Sequence, residues 1–316
     1  LDCSISMIKN NKYSDNPIIV SGMPRTATTI VGQLISDKAP YSVLYEPFNT
    51  SQGLKSVDIN YLIPGFNIME NDFDKILTSL FDLSGSFKLG VKRYDSLSKR
   101  LIKYILGNES SISFKKAKYL NLKKGLIIKD PFLVFASKYL SQNHKVIMCE
   151  RPLLPLAGSF KRMSWSFSEY NRLLKDFDRM GLDIKNSNQF NENNSISPFV
   201  VGAIQFFYLY TLFKQKILNN DNIYFFNQHD LSINPNNSIT SLFDWLNIDY
   251  SKKDINKIAM SISGSSTKNK SPKQGVQHDK LYDKEYANDY FQSILTKDEI
   301  KYVKECEIII CSGGEI

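Results

Sequence analysis

The stretch Pro17-Ile-Ile-Val-Ser-Gly-Met-Pro-Arg-Thr-Ala-Thr-Thr29 decides the fold. An apolar run of β-branched residues ends at Gly22, a turn containing Pro24 follows, and Thr28-Thr29 open a segment with apolar residues at helical spacing. This pattern predicts a strand, a tight loop and a helix. Because the N–H groups and the dipole at a helix start both favour an anion, the loop predicts a phosphate-binding site.

Four further apolar runs predict strands, and helical patterns separate them. The predicted strands are Tyr41–Tyr45, Gly125–Lys129, Lys145–Glu150 and Asn222–Phe226. The predicted helices are Phe73–Leu83, a helix from the Asp130 cap to about Ser141, a helix after Pro152, Val200–Leu218, Ile239–Leu246 and most of the tail. A Lys-rich amphipathic segment lies around Leu97–Leu106. Continuous apolar strands that alternate with helices are typical of a parallel sheet covered on both faces. We therefore expect an α/β fold with a P-loop NTPase-like parallel sheet flanked by helices.

Charged residues follow the first four predicted strands. Arg25 comes after the first, Glu46 after the second, Lys129 closes the third and Arg151 follows the fourth. Ligands of parallel α/β sheets bind beyond the carboxyl ends of the strands. We therefore expect these three basic groups and one acidic group to contribute to one binding crevice.

Composition limits the class of protein. The 316 residues are 42% apolar, enough for one large α/β domain, and the net charge of +8 favours an anionic ligand or surface. No apolar run approaches the roughly 20 residues needed to span a bilayer, so no stable membrane insertion is expected. The four cysteines share no Cys-x-x-Cys spacing, which favours a reducing, cytoplasmic setting. A lumenal setting remains open if an anchor precedes Leu1.

The first loop differs from the Walker A motif of metal-dependent NTPases. With the first motif glycine placed on Gly22, Ala27-Thr28-Thr29 stand where Gly-Lys-Ser/Thr is required. The fourth strand also ends in Glu150-Arg151 rather than in the Asp that usually holds magnesium. These differences disfavour a kinase or NTPase. A sulfuryl group carries less charge than a phosphoryl group, so protein cations alone can stabilise its transfer and no metal is expected.

At this point the motifs resemble those of the sulfotransferases that use 3′-phosphoadenosine 5′-phosphosulfate (PAPS). Met23–Thr29 resembles their 5′-phosphosulfate loop, and Arg151 with Ser159 resembles their 3′-phosphate motif. Glu46 and Lys129-Asp-Pro-Phe132 resemble the acidic base and the lysine-bearing strand end of the tyrosylprotein and bacterial branches. Further matches are Asp230-Leu231, Pro235 and Phe243-Asp-Trp-Leu246. Ala27 departs from the glycine usual in the family, which restricts the backbone of the loop.

The resemblance implies a role for each matched residue. The 5′-phosphosulfate would be held by Arg25, Thr26, Ala27, Thr28 and Thr29. Arg151 and Ser159 would hold the 3′-phosphate, since the planar guanidinium suits phosphate oxygens. Glu46 would accept the proton of the acceptor hydroxyl, and Lys129, together with Arg25, would stabilise the charge that develops during transfer.

The same resemblance implies one sulfotransferase domain over residues 1–316. Residues 17–47 would carry the 5′-phosphosulfate loop and the base, and residues 126–165 the catalytic lysine and the 3′-phosphate motif. The polar stretch 166–198 is interpreted as an insertion or a cover. The Ser/Gly/Lys-rich loop 261–277 is either an ordinary polar loop or a flap whose Lys268 covers the nucleotide.

The acceptor is less constrained by the sequence than the donor. The favoured acceptor is a carbohydrate hydroxyl, as in a polysaccharide or glycolipid, and the Lys-Asp-Pro-Phe match keeps a protein tyrosine open. The P-loop kinase or NTPase is the less favoured enzyme. A basic nucleic-acid-binding module is the remaining alternative, but it would leave the ordered charges at the strand ends unexplained.

Overall fold

The computed structural model describes residues 16–91, 95–120, 125–185, 187–190, 195–262 and 289–312. Its strands are β1 (Ile18–Gly22), β2 (Tyr41–Tyr45), β3 (Gly125–Lys129), β4 (Val146–Glu150) and β5 (Ile223–Asn227). Its α-helices are α1 (Thr28–Lys38), α2 (Glu70–Phe81), α3 (Leu97–Ile105), α4 (Glu109–Leu120), α5 (Ser137–Leu140), α6 (Leu153–Met163), α7 (Tyr170–Arg179), α8 (Pro198–Lys214), α9 (Gln228–Ile233), α10 (Pro235–Leu246), α11 (Lys252–Ile262) and α12 (Lys297–Cys311). Short 3₁₀ helices cover Pro131–Ala136, Ser187–Phe190 and Tyr290–Ser293.

The strands form one five-stranded sheet in the order β2-β3-β1-β4-β5. Both β1 and β2 pair with β3 in parallel, and Tyr45 lies opposite Lys129. Between β1 and β4, Ile19 N donates to Lys145 O and Met23 N donates to Cys149 O, so the bonds advance along both chains as in a parallel pair. The predicted parallel α/β sheet is confirmed, and each predicted strand is present to within one residue at either end.

The described residues group into two compact units. One holds residues up to Ser21 together with Thr28–Val146, and the other holds Gly22–Ala27 together with the residues from Ile147 onward. The core of the first includes the fully buried side chains of Ile19, Val20, Val31, Ile35, Ile127 and Ile128. The core of the second includes Leu156, Phe177, Phe206, Leu209, Phe213 and Phe243. Each unit therefore has its own apolar core.

Two regions differ in detail from the sequence-based expectation. Asp130 caps the segment after β3 as predicted, because its Oδ1 accepts a hydrogen bond from Phe132 N at 2.9 Å, but the first six residues are 3₁₀ rather than α-helical. The stretch 166–198, interpreted only as an insertion or cover, contains α7. Its buried Tyr170, Leu173 and Phe177 recur at helical spacing within a polar background.

None of the helices in the described part of the chain has the length and apolar character needed to cross a lipid bilayer.

Candidate active site

The entrance to the loop after β1 requires glycine. Gly22 has φ +131°, a backbone conformation that residues with a side chain rarely adopt. A Cβ atom at this position would also lie only 2.2 Å from the carbonyl oxygen of Cys149. Close approach of the two backbones therefore fixes where the chain leaves β1 and begins the loop.

The loop itself alternates between two backbone conformations. Arg25 and Ala27 both have φ +66°, while the hydroxyl of the buried Thr26 between them donates to Met23 O at 2.5 Å. Residues of opposite backbone hand in alternation turn their N–H groups towards one side, an arrangement that binds anions in many phosphate sites. For Ala27 the left-handed conformation costs about 1 kcal/mol. The loop therefore has the backbone expected of an anion-binding loop.

Helix α1 begins directly after this loop. Its first residues are Thr28, which is buried, and Thr29, whose Oγ1 lies 3.4 Å from the hydroxyl of Tyr45. The N–H groups of a first helical turn have no partners within the helix, so they are available to an anion.

Arg25, Arg151 and Ser159 contact one another. Arg25 Nε donates to Ser159 Oγ at 3.3 Å, and Arg151 Nη1 donates to the carbonyl oxygen of Arg25 at 3.2 Å. Arg151 is buried, and its guanidinium lies 5.3 Å from the centre of the Tyr290 ring. We call these four residues the arginine cluster. The structure thus brings Arg25 of the first loop into contact with Ser159, 134 positions later in the sequence, which the motif had paired only with Arg151.

Tyr290 is a member of the arginine cluster that the sequence analysis did not identify. Its hydroxyl donates to Pro155 O at 2.9 Å, which fixes the ring against α6. A ring face beside a guanidinium gives a favourable cation–π contact. Tyr290 follows Arg151 by more than a hundred residues, and nothing in its local sequence signals this contact.

Glu46 and Lys129 form a second group. Glu46 has φ +46° and follows β2, and its N–H donates to Lys129 O at 2.8 Å. Lys129 Nζ donates to Glu46 Oε1 at 2.7 Å, and the side chains are 4% exposed for Lys129 and 16% for Glu46. The ammonium also lies 4.0 Å from the centre of the Tyr45 ring. We call these three residues the lysine–glutamate cluster.

Neutral side chains hold the second oxygen of Glu46. Asn49 Nδ2 donates to Oε2 at 3.0 Å, and Gln52 Nε2 lies 3.5 Å from the same atom. From α4, Ser110 Oγ donates to the Glu46 carbonyl at 3.4 Å. Asn49, Gln52 and Ser110 were not among the residues expected at the site. The spacing of three residues from Glu46 to Asn49 is the only local signal that could have pointed to one of them.

Electrostatics keep Lys129 charged. Burial lowers the pKa of this lysine, but Glu46, Tyr45 and Asp130 together outweigh burial and hold the pKa above its ordinary value. The neighbouring Asp130 is fully buried. Burial and the charge of Glu46 raise the pKa of Asp130 to about 8, against two hydrogen bonds from the N–H groups of Phe48 and Phe132. The cluster therefore presents a cation and a carboxylate in direct contact, with a further carboxyl buried next to the lysine.

Two further residues near the predicted motifs remain to be placed, one at the end of β4 and one in the late polar loop. Glu150, which precedes Arg151, is held by the Tyr210 hydroxyl at 2.7 Å and by Lys214 Nζ at 2.6 Å. Lys268 and most of the loop 261–277 lie outside the described residues. Within the residues that are described, no group of three or more His, Cys, Asp or Glu side chains is placed to hold a metal ion.

Comparison with known proteins gives a family match and several structural matches. The model of the sulfotransferase domain matches residues 15–306. Among solved structures, mouse sulfotransferase SULT7A1 complexed with PAP is 14% identical, with 93% of this chain and 83% of that chain covered and a TM-score of 0.42. The sulfotransferase domain of the curacin biosynthetic pathway is 13% identical, with coverages of 92% and 95% and a TM-score of 0.39.

A third structure, the sulfotransferase domain of the Synechococcus PCC 7002 olefin synthase, is 14% identical, with coverages of 94% and 96% and a TM-score of 0.39. No curated protein matches the chain. Structural similarity at these TM-scores supports no argument by itself, so the match of the domain model over most of the chain carries the assignment.

Proposed function

This chain belongs to the sulfotransferase domain family, and from that premise we propose that it transfers a sulfuryl group from PAPS to a hydroxyl of a carbohydrate. The observation that carries the proposal is the contact between Glu46 and Lys129 at 2.7 Å, at the ends of two adjacent parallel strands. It supplies a carboxylate that can accept a proton and a cation that can stabilise a leaving oxygen.

The proposed reaction is one in-line displacement. The acceptor oxygen forms a bond to sulfur while the bond from sulfur to the bridging phosphate oxygen breaks. The hydroxyl proton passes to Glu46, and the electron pair of the broken bond stays on the bridging oxygen as adenosine 3′,5′-bisphosphate leaves. Lys129, whose pKa is raised, remains an ammonium that can stabilise this oxygen.

For the donor, we propose two sets of contacts. The loop residues Arg25–Ala27 and the first residues of α1 would hold the 5′-phosphosulfate, which the left-handed conformations of Arg25 and Ala27 and the free N–H groups of a helix start support. Arg151 and Ser159 would hold the 3′-phosphate. Their support is the hydrogen-bonded arrangement in which Ser159 orients Arg25 and Arg25 orients Arg151.

The acceptor is best tested by a screen with radiolabelled PAPS. Polysaccharides, glycolipids and tyrosine-containing peptides would be offered separately, each with and without a metal chelator. We expect labelled glycan, unchanged by the chelator. Label on the tyrosine peptides alone would replace the carbohydrate proposal with a tyrosylprotein activity. Chelator-sensitive transfer from ATP, with none from PAPS, would overturn the sulfotransferase assignment in favour of a kinase.

A binding measurement separates donor recognition from the acceptor question. Adenosine 3′,5′-bisphosphate should raise the melting temperature of the protein in the absence of metal, because a ligand that binds only the folded state stabilises it. The matched comparison is adenosine 5′-monophosphate, which lacks the 3′-phosphate and should give a smaller shift. Equal shifts from both nucleotides would contradict a 3′-phosphate site.

A further inference from the structure

Helix α3 presents an apolar face to the solvent. Leu97, Leu101 and Ile105 recur every four residues and therefore share one side of the helix. Their exposed fractions are 83%, 61% and 67%. More than half of each side chain is also exposed at Ile102, Tyr104 and Leu106. Contiguous exposed apolar surface of this kind marks an interaction site rather than ordinary protein surface.

The polar side of α3 is held by the segment that precedes the helix. Lys103 Nζ donates to Gly90 O and to Asp95 Oδ2, both at 2.7 Å, and Arg100 Nε donates to Asp95 O at 3.0 Å. A surface helix normally buries its apolar stripe and exposes its polar one. In α3 the apolar side chains are the more exposed ones, while Arg100 and Lys103 are held by these local hydrogen bonds.

The charge around this face is strongly basic. Residues 95–120 contain six lysine or arginine residues and two acidic residues, Asp95, which pairs with Lys103, and Glu109. Lys115 Nζ donates to the carbonyl oxygen of Leu106, which places an ammonium group at the end of the apolar face. Lys116 is exposed on α4 beside it, and Tyr119 is 73% exposed near the end of the same helix. Basic groups and an aromatic ring that surround an apolar face are typical of helices that bind a membrane surface.

We propose that α3, with the basic residues of α4, docks the protein on the surface of an anionic lipid bilayer. The helix would lie in the plane of the interface, with its apolar face among the upper acyl chains and the lysines at the phosphate level. A second copy of the chain is disfavoured as the occupant, because two basic faces would repel each other. Nucleic acid is disfavoured because its phosphates would leave the leucine and isoleucine side chains uncovered.

If the protein has the proposed function, docking at α3 would also indicate which kind of carbohydrate acceptor it uses. Helix α4 connects this surface to the lysine–glutamate cluster, because Ser110 Oγ donates to the carbonyl of Glu46 and Ser113 Oγ accepts from Tyr45 N at 2.9 Å. An acceptor glycan attached to a lipid would therefore be held near the residues proposed to act on it. Among carbohydrate acceptors, we infer that the protein uses a lipid-linked one.

The docking itself is tested by vesicle sedimentation without donor or acceptor, so a failure here is independent of transfer activity. We expect binding to vesicles of phosphatidylglycerol mixed with phosphatidylcholine and little binding to phosphatidylcholine alone. The double variant Leu101→Glu/Ile105→Glu should bind anionic vesicles at least about 100-fold more weakly. Each substitution removes an apolar side chain from the interface and adds a negative charge that the anionic lipids repel. Ile308→Glu on α12, equally exposed at 65%, is the matched control and should bind like the wild type.

A second pair of variants guards against a folding artefact. Lys115→Ala and Lys116→Ala leave the apolar face intact, and each should weaken binding about fivefold, with a smaller loss at high salt. Equal binding by the α3 variant and the Ile308 control would overturn the proposal. So would absent binding to anionic vesicles, equal binding to neutral ones, or a concentration-dependent dimer that the α3 substitutions abolish, which would identify a second copy as the occupant.

Discussion

The two clusters surround their cations with different groups. In the lysine–glutamate cluster, a carboxylate 2.7 Å away balances the ammonium of Lys129. In the arginine cluster, the contacts of Arg25 and Arg151 include a hydroxyl, a carbonyl oxygen and a tyrosine ring, which orient the two guanidinium groups. A carboxylate beside an ammonium suits a step in which a proton moves, and oriented guanidinium groups suit the binding of a phosphate. The comparison separates a proposed chemical role from a proposed binding role.

The largest effect is expected from Glu46→Gln. The amide cannot accept the acceptor proton, so kcat should fall by about a hundred- to ten-thousandfold. The affinity for adenosine 3′,5′-bisphosphate should stay within about twofold, because a binding role is assigned to other residues. Steady-state kinetics and calorimetric titration measure the two quantities. Glu305→Gln, an exposed glutamate on α12, is the control that should keep full activity.

The same variant should also lose stability. Lys129 would stay buried without its counter-charge, which costs about 3 kcal/mol in the free energy of unfolding. Urea unfolding of Glu46→Gln and of the double variant Glu46→Gln/Lys129→Met separates the cause, because methionine removes the unpaired ammonium and should restore part of the loss. A fully active Glu46→Gln protein would show that this carboxylate is not the base.

Arg151→Ala should change binding rather than chemistry. Loss of a charged hydrogen-bonding group should weaken the affinity for adenosine 3′,5′-bisphosphate about 10- to 100-fold. Ser159→Ala should cost about fivefold, since a neutral hydroxyl contributes less. Arg179→Ala, an exposed arginine on α7, is the control. Unchanged affinity in the Arg151 variant would remove this residue from the 3′-phosphate site.

The buried Asp130, next to Lys129, should make the stability of the protein depend on pH. Its pKa is raised from 3.8 to about 8, so the folded state binds a proton more tightly than the unfolded state does. This contribution to stability is fully present below about pH 4 and is lost as the pH rises to about 8, at no more than about 1.4 kcal/mol per pH unit. Asp130→Asn should flatten the pH dependence of the free energy of unfolding in this range. The exposed Asp72→Asn should not, and identical slopes in all three proteins would show that Asp130 is ionised throughout.

The smallest effect is expected at Ala27. Glycine relieves about 1 kcal/mol of left-handed strain but gives the unfolded chain more freedom, so Ala27→Gly should change stability by less than about 1 kcal/mol. Donor affinity should stay within about twofold. Ala117→Gly in the interior of α4 has no strain to relieve and should lose about 1 kcal/mol or more. A large loss at both positions would mean that the conformation at Ala27 carries no strain.

Local sequence predicted the strands well, and motifs named three of the four residues that form the arginine cluster. Runs such as Gly125–Lys129 are short and apolar and are bounded by turn residues. The change from apolar to turn-forming residues therefore marks both ends of the strand in the sequence. Arg151 and Ser159 were predicted as a pair because they match one motif, in which the arginine follows a strand and the serine lies eight positions later on the next helix. The structure adds that Ser159 contacts Arg25, which only the folded chain brings close.

Long-range partners were beyond local sequence. Tyr290 contacts Arg151 although more than a hundred residues separate the two in the sequence. The exposed apolar side of α3 was not predicted either, although Asp95 and Gly90, which hold its lysine, are close in the sequence. An amphipathic pattern predicts that a helix has two faces, but it does not say which one meets the protein. Helix α7 was missed for a different reason, since its three buried apolar residues are few among charged ones and the stretch was judged by its composition.

The pairing of β2 with β3 has a consequence for insertions and deletions. Tyr45 lies opposite Lys129, and Glu46 is the next residue. Removing a single residue from β2 would shift the strand by about 3.3 Å and turn its side chains to the opposite face of the sheet. The carboxylate would then no longer meet the ammonium, even though both residues remained in the sequence. The contact between Glu46 and Lys129 therefore requires the length of this five-residue strand as much as it requires a glutamate at position 46.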